Sequence, residues 1–148
     1  MQELSWYQKR ALEIRNRKDR KHNCAQAILI AFGERMGLDE DLLYGMAANL
    51  GRGMKMYSVC GGITGGIMVL GLAGLTDEAV VNRFYSKWRR LHDGFMECAN
   101  FLEIAEREHI EERAFCNNLV VEGVRILEQT LVENGISPDT LTREYLAA

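Results

Sequence analysis

The chain has 148 residues and a net charge of −3 at pH 7, with 47% hydrophobic and 26% charged residues. This balance is ordinary for a globular protein and excludes a general attraction to nucleic acid or to anionic membranes. The N-terminal segment Met1–Ser5 is polar and lacks an apolar signal core, so we expect a cytoplasmic protein with few structural disulfides. We predict a single domain over residues 1–148.

Apolar residues repeat with the period of an α-helix along most of the chain. The first predicted helix ends in the basic run Arg15–Lys21. Its apolar face is formed by Leu4, Tyr7, Ala11 and Ile14. Asn23 is predicted to cap a second helix that reaches about Met36 and, being apolar nearly all round, lies at the centre of the fold. A third helix is predicted from about Asp39 to Leu50.

The segment Val59–Leu75 has no charged residue over 17 positions. As a helix it would be about 25 Å long, which is short of the roughly 30 Å hydrocarbon core of a membrane. We therefore predict a buried core helix, capped by Ser58, and no membrane span. Its glycines have the spacing that favours close helix packing, so a homodimer through this face is also open.

A fifth helix is predicted to begin at Asp77. Its apolar stripe is formed by Val81, Phe84, Trp88, Leu91 and Phe95. Cys98 continues this stripe if the helix passes Asp93–Gly94, and otherwise it begins a new turn. The highly charged stretch Glu103–Arg113 is typical of a solvated segment.

The last long helix is predicted from its apolar face. That face is formed by Cys116, Val120, Val124, Leu127 and Leu131. Asn134–Gly135 ends the helix, and Ser137–Pro138 opens a short C-terminal helix, since proline suits the first helical position. The predicted fold class is therefore all-α, a compact single-domain bundle of six to seven helices.

Four cysteines are the residues best suited to reactive chemistry: Cys24, Cys60, Cys98 and Cys116. No two form a C-x-x-C pair, so neither a thioredoxin motif nor a local zinc motif is present. Cys24 and Cys60 fall at predicted helix starts, where free N–H groups favour the thiolate. The alternative is that the cysteines are inert core residues, as free cysteines often are.

Four glycines occupy the six positions 61–66, directly after Cys60. Each costs about 1 kcal/mol relative to alanine inside a helix, so the sequence must gain something from them. Either they allow close helix packing, or they let a bound group or a partner's cysteine approach the backbone beside Cys60.

The remaining polar residues give weaker indications. His22, His92 and His109 have no metal-binding spacing and are predicted at the surface or at helix ends. The basic run Arg15–Lys21 is predicted to be a solvated helix terminus, with phosphate or an acidic partner as the alternative ligand. No nucleotide-binding fingerprint and no Ser/His/Asp set is visible.

The chain resembles the redox-active C_GCAxxG_C_C family, which is defined by four cysteines and a glycine motif. The first family element resembles Asn23–Ala27, and the central one resembles Cys60–Gly65 followed by Ile67–Gly71. Cys98 and Cys116 match the third and fourth cysteines. The resemblance extends from about residue 5 to residue 132 and departs at Gly62, where the family motif has alanine.

The resemblance implies that Cys24, Cys60, Cys98 and Cys116 form one redox site. The family is also similar to the cluster-bearing domain of split-Soret cytochromes, which implies that four thiolates hold a [2Fe–2S] or [4Fe–4S] cluster. Amides of the glycine turn, at Gly61, Gly62 and Gly65, would then hydrogen-bond the cluster sulfurs. No C-x-x-C-H is present, so no c-type haem is implied.

Three functions remain open at this stage. The first is electron transfer or redox sensing by an iron–sulfur protein with a redox partner protein, zinc in the same Cys₄ site being its structural variant. The second is metal-free thiol–disulfide chemistry, with Cys60 as the activated nucleophile. The third is a helical interaction module whose cysteines are only core residues.

Overall fold

Seven α-helices make up most of residues 3–141, which are the residues that the computed structural model describes. They are α1 (Trp6–Arg15), α2 (Cys24–Gly33), α3 (Glu40–Ala47), α4 (Gly61–Leu72), α5 (Glu78–Arg89), α6 (Cys98–Arg107) and α7 (Glu112–Glu133). Three 3₁₀ turns lie between or after them, at Glu34–Met36, Ala48–Leu50 and Pro138–Thr140. Over the same residues there is no strand, and a single β-bridge joins Val59 to Glu97. The all-α prediction is confirmed.

Helix α2 lies at the centre of the bundle, as its sequence predicts. Every residue from Ala25 to Gly33 is buried, and the helix packs against α1, α3, α4 and α7. The apolar faces of α4 and α7 close the core around it, together with Phe84 and Trp88 of α5. This arrangement fixes where the first residue of α2, Cys24, lies relative to the other helices.

The first two helices begin where their capping residues predict. Ser5 and Asn23 each accept a hydrogen bond from the backbone N–H three residues ahead, and the glutamine there bonds back to the cap. The prediction for α4 is wrong in detail, because its N-cap is Cys60 and not Ser58. The backbone of Ser58 instead takes part in the strand-like contact with the start of α6, where its carbonyl accepts from the Cys98 N–H at 2.7 Å.

Helix α4 is the predicted core helix, and its glycines are packed inside the chain. A Cβ on Gly65 would lie 2.9 Å from the Ala25 backbone, and one on Gly66 would lie 2.5 Å from the Phe84 ring. The glycine face is thus covered by α2 and α5, while homodimerisation stays a prediction. Among the described helices none is long and apolar enough to cross a membrane.

The chain between α5 and α6 departs from the sequence prediction. Helix α5 ends at Arg89, and the stripe predicted to reach Phe95 is broken. Asp93 (φ 52°) and Gly94 (φ 86°) reverse the chain in left-handed conformations, so Phe95 is 38% exposed. Cys98 therefore begins a new helix, α6, which was one of the two predicted alternatives.

The C-terminal part follows the prediction in its long helix. Helix α7 ends at Glu133, with Asn134 as its C-cap, and buries the predicted face except for Cys116, which is half-buried. The stretch predicted to be solvated, Glu103–Arg113, is exposed apart from Ile104 and Ala105, which α6 buries. The short C-terminal helix is a single 3₁₀ turn in the described residues, and residues 142–148 lie outside them.

Candidate four-cysteine site

Four cysteines from four helices line one cavity of about 540 Å³. Cys24 is the first residue of α2, Cys60 is the N-cap of α4, Cys98 is the first residue of α6, and Cys116 lies in the second turn of α7. All four are free thiols. Cys60 is 5% exposed, and the other three are half-buried. The structure thus brings together residues that are far apart in the sequence.

Three of the four cysteines stand at helix N-termini. There the backbone N–H groups lack partners within the helix, and the helix dipole favours negative charge. At α4 the effect is direct, because the N–H groups of Gly62 and Ile63 interact with the Cys60 sulfur and lower its pKa against the effect of burial. The sequence predicted this position for Cys24 and Cys60 but left it undecided for Cys98.

Backbone contacts between the helix starts hold the cysteines near each other. The Cys60 N–H donates to the Met96 carbonyl at 2.9 Å, and the Cys98 N–H donates to the Ser58 carbonyl. These two bonds join the segment before α4 to the segment before α6. Gly61 then meets the start of α2, since a Cβ there would lie 3.3 Å from the Cys24 Cβ.

The three glycines predicted to lie beside a bound group occupy different places. Gly61 lines the cavity. Gly62 is outside the cavity lining and packs on the Trp88 ring, but its N–H faces the Cys60 sulfur. Gly65 packs against the backbone of Ala25 and does not line the cavity. Close helix packing therefore accounts for Gly65, whereas Gly61 and Gly62 lie next to the sulfurs.

The four thiols differ in how readily they carry negative charge. A hydrogen bond from the Cys116 thiol, helped by the nearby Arg15 guanidinium, lowers the pKa of Cys24. The same bond, together with burial, raises the pKa of Cys116. Burial raises the pKa of Cys60 to about 12 and also raises the pKa of Cys98. Among the four thiols, only Cys24 has a lowered pKa, which favours Cys24 over Cys60 as the more readily ionised thiol, while the role of Cys60 as a nucleophile stays a prediction.

Cations outnumber carboxylates around the cavity. The cationic lining residues are Arg15, Arg17, Lys21, Arg52 and Arg113, and the acidic ones are Glu111 and Glu112. The basic run was predicted to be a solvated helix terminus, but part of it faces the cysteines. The sequence did carry one signal for this. The basic run connects α1 to Cys24, so it has to lie near the start of α2.

The three histidines were predicted at the surface or at helix ends, and two of them are not at the surface, although His22 directly precedes the N-cap of α2. His22 is 2% exposed, packs edge-on against Tyr44 and lines the cavity. Burial lowers the pKa of His22, which favours its neutral form. His92 is half-buried between the rings of Phe101 and Phe115. Only His109 is exposed, at the C-terminal end of α6.

The four cysteines line the same cavity, but their sulfurs are not arranged as a set of metal ligands. Within residues 3–141 no three His, Cys, Asp or Glu side chains are close enough to hold a metal ion. Two of the sulfurs, those of Cys24 and Cys116, share a hydrogen bond instead. The arrangement is that of four free cysteines around one cavity.

The fold and the site together define the class of this protein: it is an all-α protein with four cysteines that line one cavity. The chain belongs to the family described as "Putative redox-active protein (C_GCAxxG_C_C)", whose profile matches residues 22–130. This match confirms the resemblance seen in the sequence. Comparison with the curated proteins and with the solved structures gives no match.

Proposed function

We propose that Cys24, Cys60, Cys98 and Cys116 bind an iron–sulfur cluster, and that the protein transfers electrons or senses redox state in the cytoplasm. The observation that carries this proposal is the single cavity lined by all four thiols. Four cysteine thiolates are the usual ligand set of both [2Fe–2S] and [4Fe–4S] clusters. The redox partner would be a protein that donates or accepts single electrons.

The chemistry of the donor set supports this cofactor. Thiolates and bridging sulfides make such a centre anionic, and the cavity lining has an excess of positive charge, with five cationic and two acidic side chains. The N–H groups of Gly62 and Ile63 are already directed at one ligand sulfur. Metal binding replaces thiol protons, so the S–H bond between Cys116 and Cys24 would be given up on binding.

The protein's own part in this function is to hold the cluster, to shield it from solvent and to influence its reduction potential. Cys60 forms the closed wall, since its side chain is almost fully buried. Cys98, at the start of α6, is half-buried and therefore more accessible to solvent than Cys60. The cluster would supply one-electron chemistry, while the rigid helix starts keep the ligands in place between the two charge states.

Thiol–disulfide chemistry is a second candidate, favoured by the contact between Cys24 and Cys116. Oxidation would join these two sulfurs, release two protons and pass two electrons to a disulfide in a partner protein, which becomes two thiols. The pair would then act without metal. Under this function Cys60 and Cys98 would be structural residues.

Metal and sulfide analysis of protein purified without oxygen, together with a visible absorption spectrum, distinguishes these functions. Iron with matching sulfide and charge-transfer absorption is the expected result. Zinc in a colourless protein would instead indicate a structural Cys₄ site. No metal, with a Cys24–Cys116 disulfide after mild oxidation, would establish the second candidate. Gly71→Ala serves as the control for the effect of a substitution on metal content. A Cβ at this position on α4 faces open space, so the variant should keep the full metal content.

A further inference from the structure

Buried polar atoms without a partner are concentrated near the cysteines. Four such atoms occur in the described residues: Arg15 Nε, His22 Nε2, Trp88 Nε1 and Asn117 Oδ1. Arg15 and His22 both line the cysteine cavity. Native proteins rarely leave such atoms unpaired, so each indicates strain, a bound water or a group that completes the site.

Of the two unpartnered atoms that belong to cavity-lining residues, only one is a donor. The Nδ1 atom of His22 lies 3.1 Å from the Arg20 carbonyl, which can only accept, so Nδ1 carries the ring proton. Its Nε2 atom is then an acceptor. The guanidinium of Arg15 stays protonated and its Nε–H can only donate. Arg15 is therefore the side chain that requires a negatively charged or lone-pair partner in the cavity.

Arg15 is held in place both at its guanidinium group and at its backbone. As the last residue of α1, it donates from Nη1 to the His22 carbonyl at 2.7 Å. Its own carbonyl accepts from Arg113 Nη2 at 2.7 Å. With the backbone and one guanidinium nitrogen fixed, the unused Nε–H is a preorganised donor and not a mobile surface charge.

The other arginines of the cavity are committed elsewhere. Arg17 pairs with Asp19 and Glu40, and Arg52 pairs with Glu112. Arg113 is exposed and is used by the backbone and side chain at the end of α1. In the part of the chain that the structure describes, Arg15 alone combines cavity lining with a buried, unused N–H.

We propose that Arg15 donates its Nε–H to a sulfur of the centre held by the four cysteines and thereby raises the reduction potential of that centre. This inference rests on the proposed iron–sulfur function. Reduction adds one electron from a one-electron donor protein, and Arg15 neither loses its proton nor forms a bond. Because the reduced centre carries one more negative charge, a fixed charged donor stabilises it more than the oxidised centre.

The electrostatics of the thiols agree with this role. The positive charge of Arg15 adds to the lowering of the Cys24 pKa and opposes the raising of the Cys116 pKa, so its field reaches two of the four sulfurs. Arg15 is thus a positioning residue, since it acts on the centre through hydrogen bonding and charge and ligates nothing itself.

Redox titration of the anaerobically purified protein, followed by visible absorption, tests the proposal in four forms: wild type, Arg15→Gln, Arg15→Lys and Lys18→Gln. Lys18 is the matched control, because it is an exposed cation of the same basic run that does not line the cavity. We expect Arg15→Gln to favour the oxidised state at least tenfold, about 59 mV for a one-electron couple. Lys18→Gln should match wild type, since an exposed charge is screened by water and salt.

Arg15→Lys keeps the charge but lacks the fixed Nε–H, so its potential should fall between those of wild type and Arg15→Gln. An Arg15→Gln potential equal to that of Lys18→Gln would overturn the inference and leave the proposed function standing. Wild-type protein without iron would overturn both. If Arg15→Gln fails to fold by circular dichroism, or folds without iron, Arg15→Lys decides alone, and a wild-type potential in that variant overturns the inference.

Discussion

Gly65 and Gly71 lie on the same helix, α4, in opposite surroundings. A Cβ on Gly65 would come within 2.9 Å of the Ala25 backbone in α2, which cannot move aside as a flexible side chain can. A Cβ on Gly71 would meet nothing within 4 Å. The glycine-rich sequence of α4 thus has a steric reason at one position and none at the other.

The pair gives a prediction at the scale of single residues. Gly65→Ala should lower the free energy of unfolding by about 1–3 kcal/mol, because α2 and α4 must separate to admit the methyl group. Gly71→Ala should raise it by about 0.4–1 kcal/mol, since alanine reduces the entropy of the unfolded chain. Urea denaturation of both variants checks this. A Gly65→Ala variant as stable as wild type would contradict the packing described for α4.

Single residues also show how far the sequence reveals the site. The position of Cys24 at a helix start was predictable, because Asn23 and Gln26 form a local capping box. The place of Arg15 in the run before α2 was a signal that it lies near Cys24, but the burial of its Nε atom was not predictable, since it depends on how α1 packs against α2 and α7. Local spacing carries no information on that packing. The burial of His22 was missed for the same reason.

At the scale of helices, the chain ends several of them with the same backbone motif. At the end of α7 the N–H groups of Gly135 and Ile136 donate to the carbonyls of Val132 and Leu131, and Gly135 has φ 77°. This is the Schellman arrangement, in which the left-handed residue is usually glycine. Helix α6 ends in the same way but places a histidine, His109, at the left-handed position, with φ 57°.

We expect His109→Gly to stabilise the protein. Glycine adopts the left-handed conformation without the Cβ contact that costs other residues about 1–2 kcal/mol, so the free energy of unfolding should rise by about 1 kcal/mol. His109→Ala is the control, because alanine keeps the Cβ and should give no such gain. Thermal and urea unfolding of the two variants measure the difference. Equal stability of the glycine and alanine variants would refute this explanation.

Helix α6 is also the element that the sequence predicted least well. Its apolar face is short, and Ile104 and Ala105 are its buried residues within a highly charged stretch. Periodicity cannot separate such a helix from a solvated segment. The break before it, at Asp93 and Gly94, was visible in the sequence, but whether the chain continued α5 there depended on tertiary packing. By contrast, the uninterrupted apolar pattern of α7 made its course predictable.

At the scale of the whole molecule, the N-terminal helix is tied to the long helix α7. The Ser5 hydroxyl, which caps α1, also donates to the Glu128 carboxylate at 2.5 Å. The Gln8 amide donates to the Val121 carbonyl of α7 at 3.0 Å. Burial raises the pKa of Glu128, so the folded protein holds that proton more tightly than the unfolded chain does.

This raised pKa predicts a pH-dependent effect of Glu128→Gln. The stability that the raised pKa contributes is present below the unfolded pKa, near 4.3, and is lost as the pH rises through the higher folded pKa. The uncharged glutamine can still accept from Ser5 and avoids burying a charge. Glu128→Gln should therefore be more stable than wild type at pH 7, and the difference should shrink towards pH 4. Urea denaturation at both pH values checks this, and a difference that does not change with pH would contradict it.

Under the proposed function, four cysteines from four helices form one metal-binding site. Iron and sulfide per chain, measured after anaerobic purification of the four single variants Cys24→Ala, Cys60→Ala, Cys98→Ala and Cys116→Ala, tests it most directly. Each variant should fold as judged by circular dichroism and lose most of its iron relative to wild type, because every thiol supplies one ligand. A folded variant that keeps the full iron and sulfide content would remove that cysteine from the site and contradict the four-ligand account.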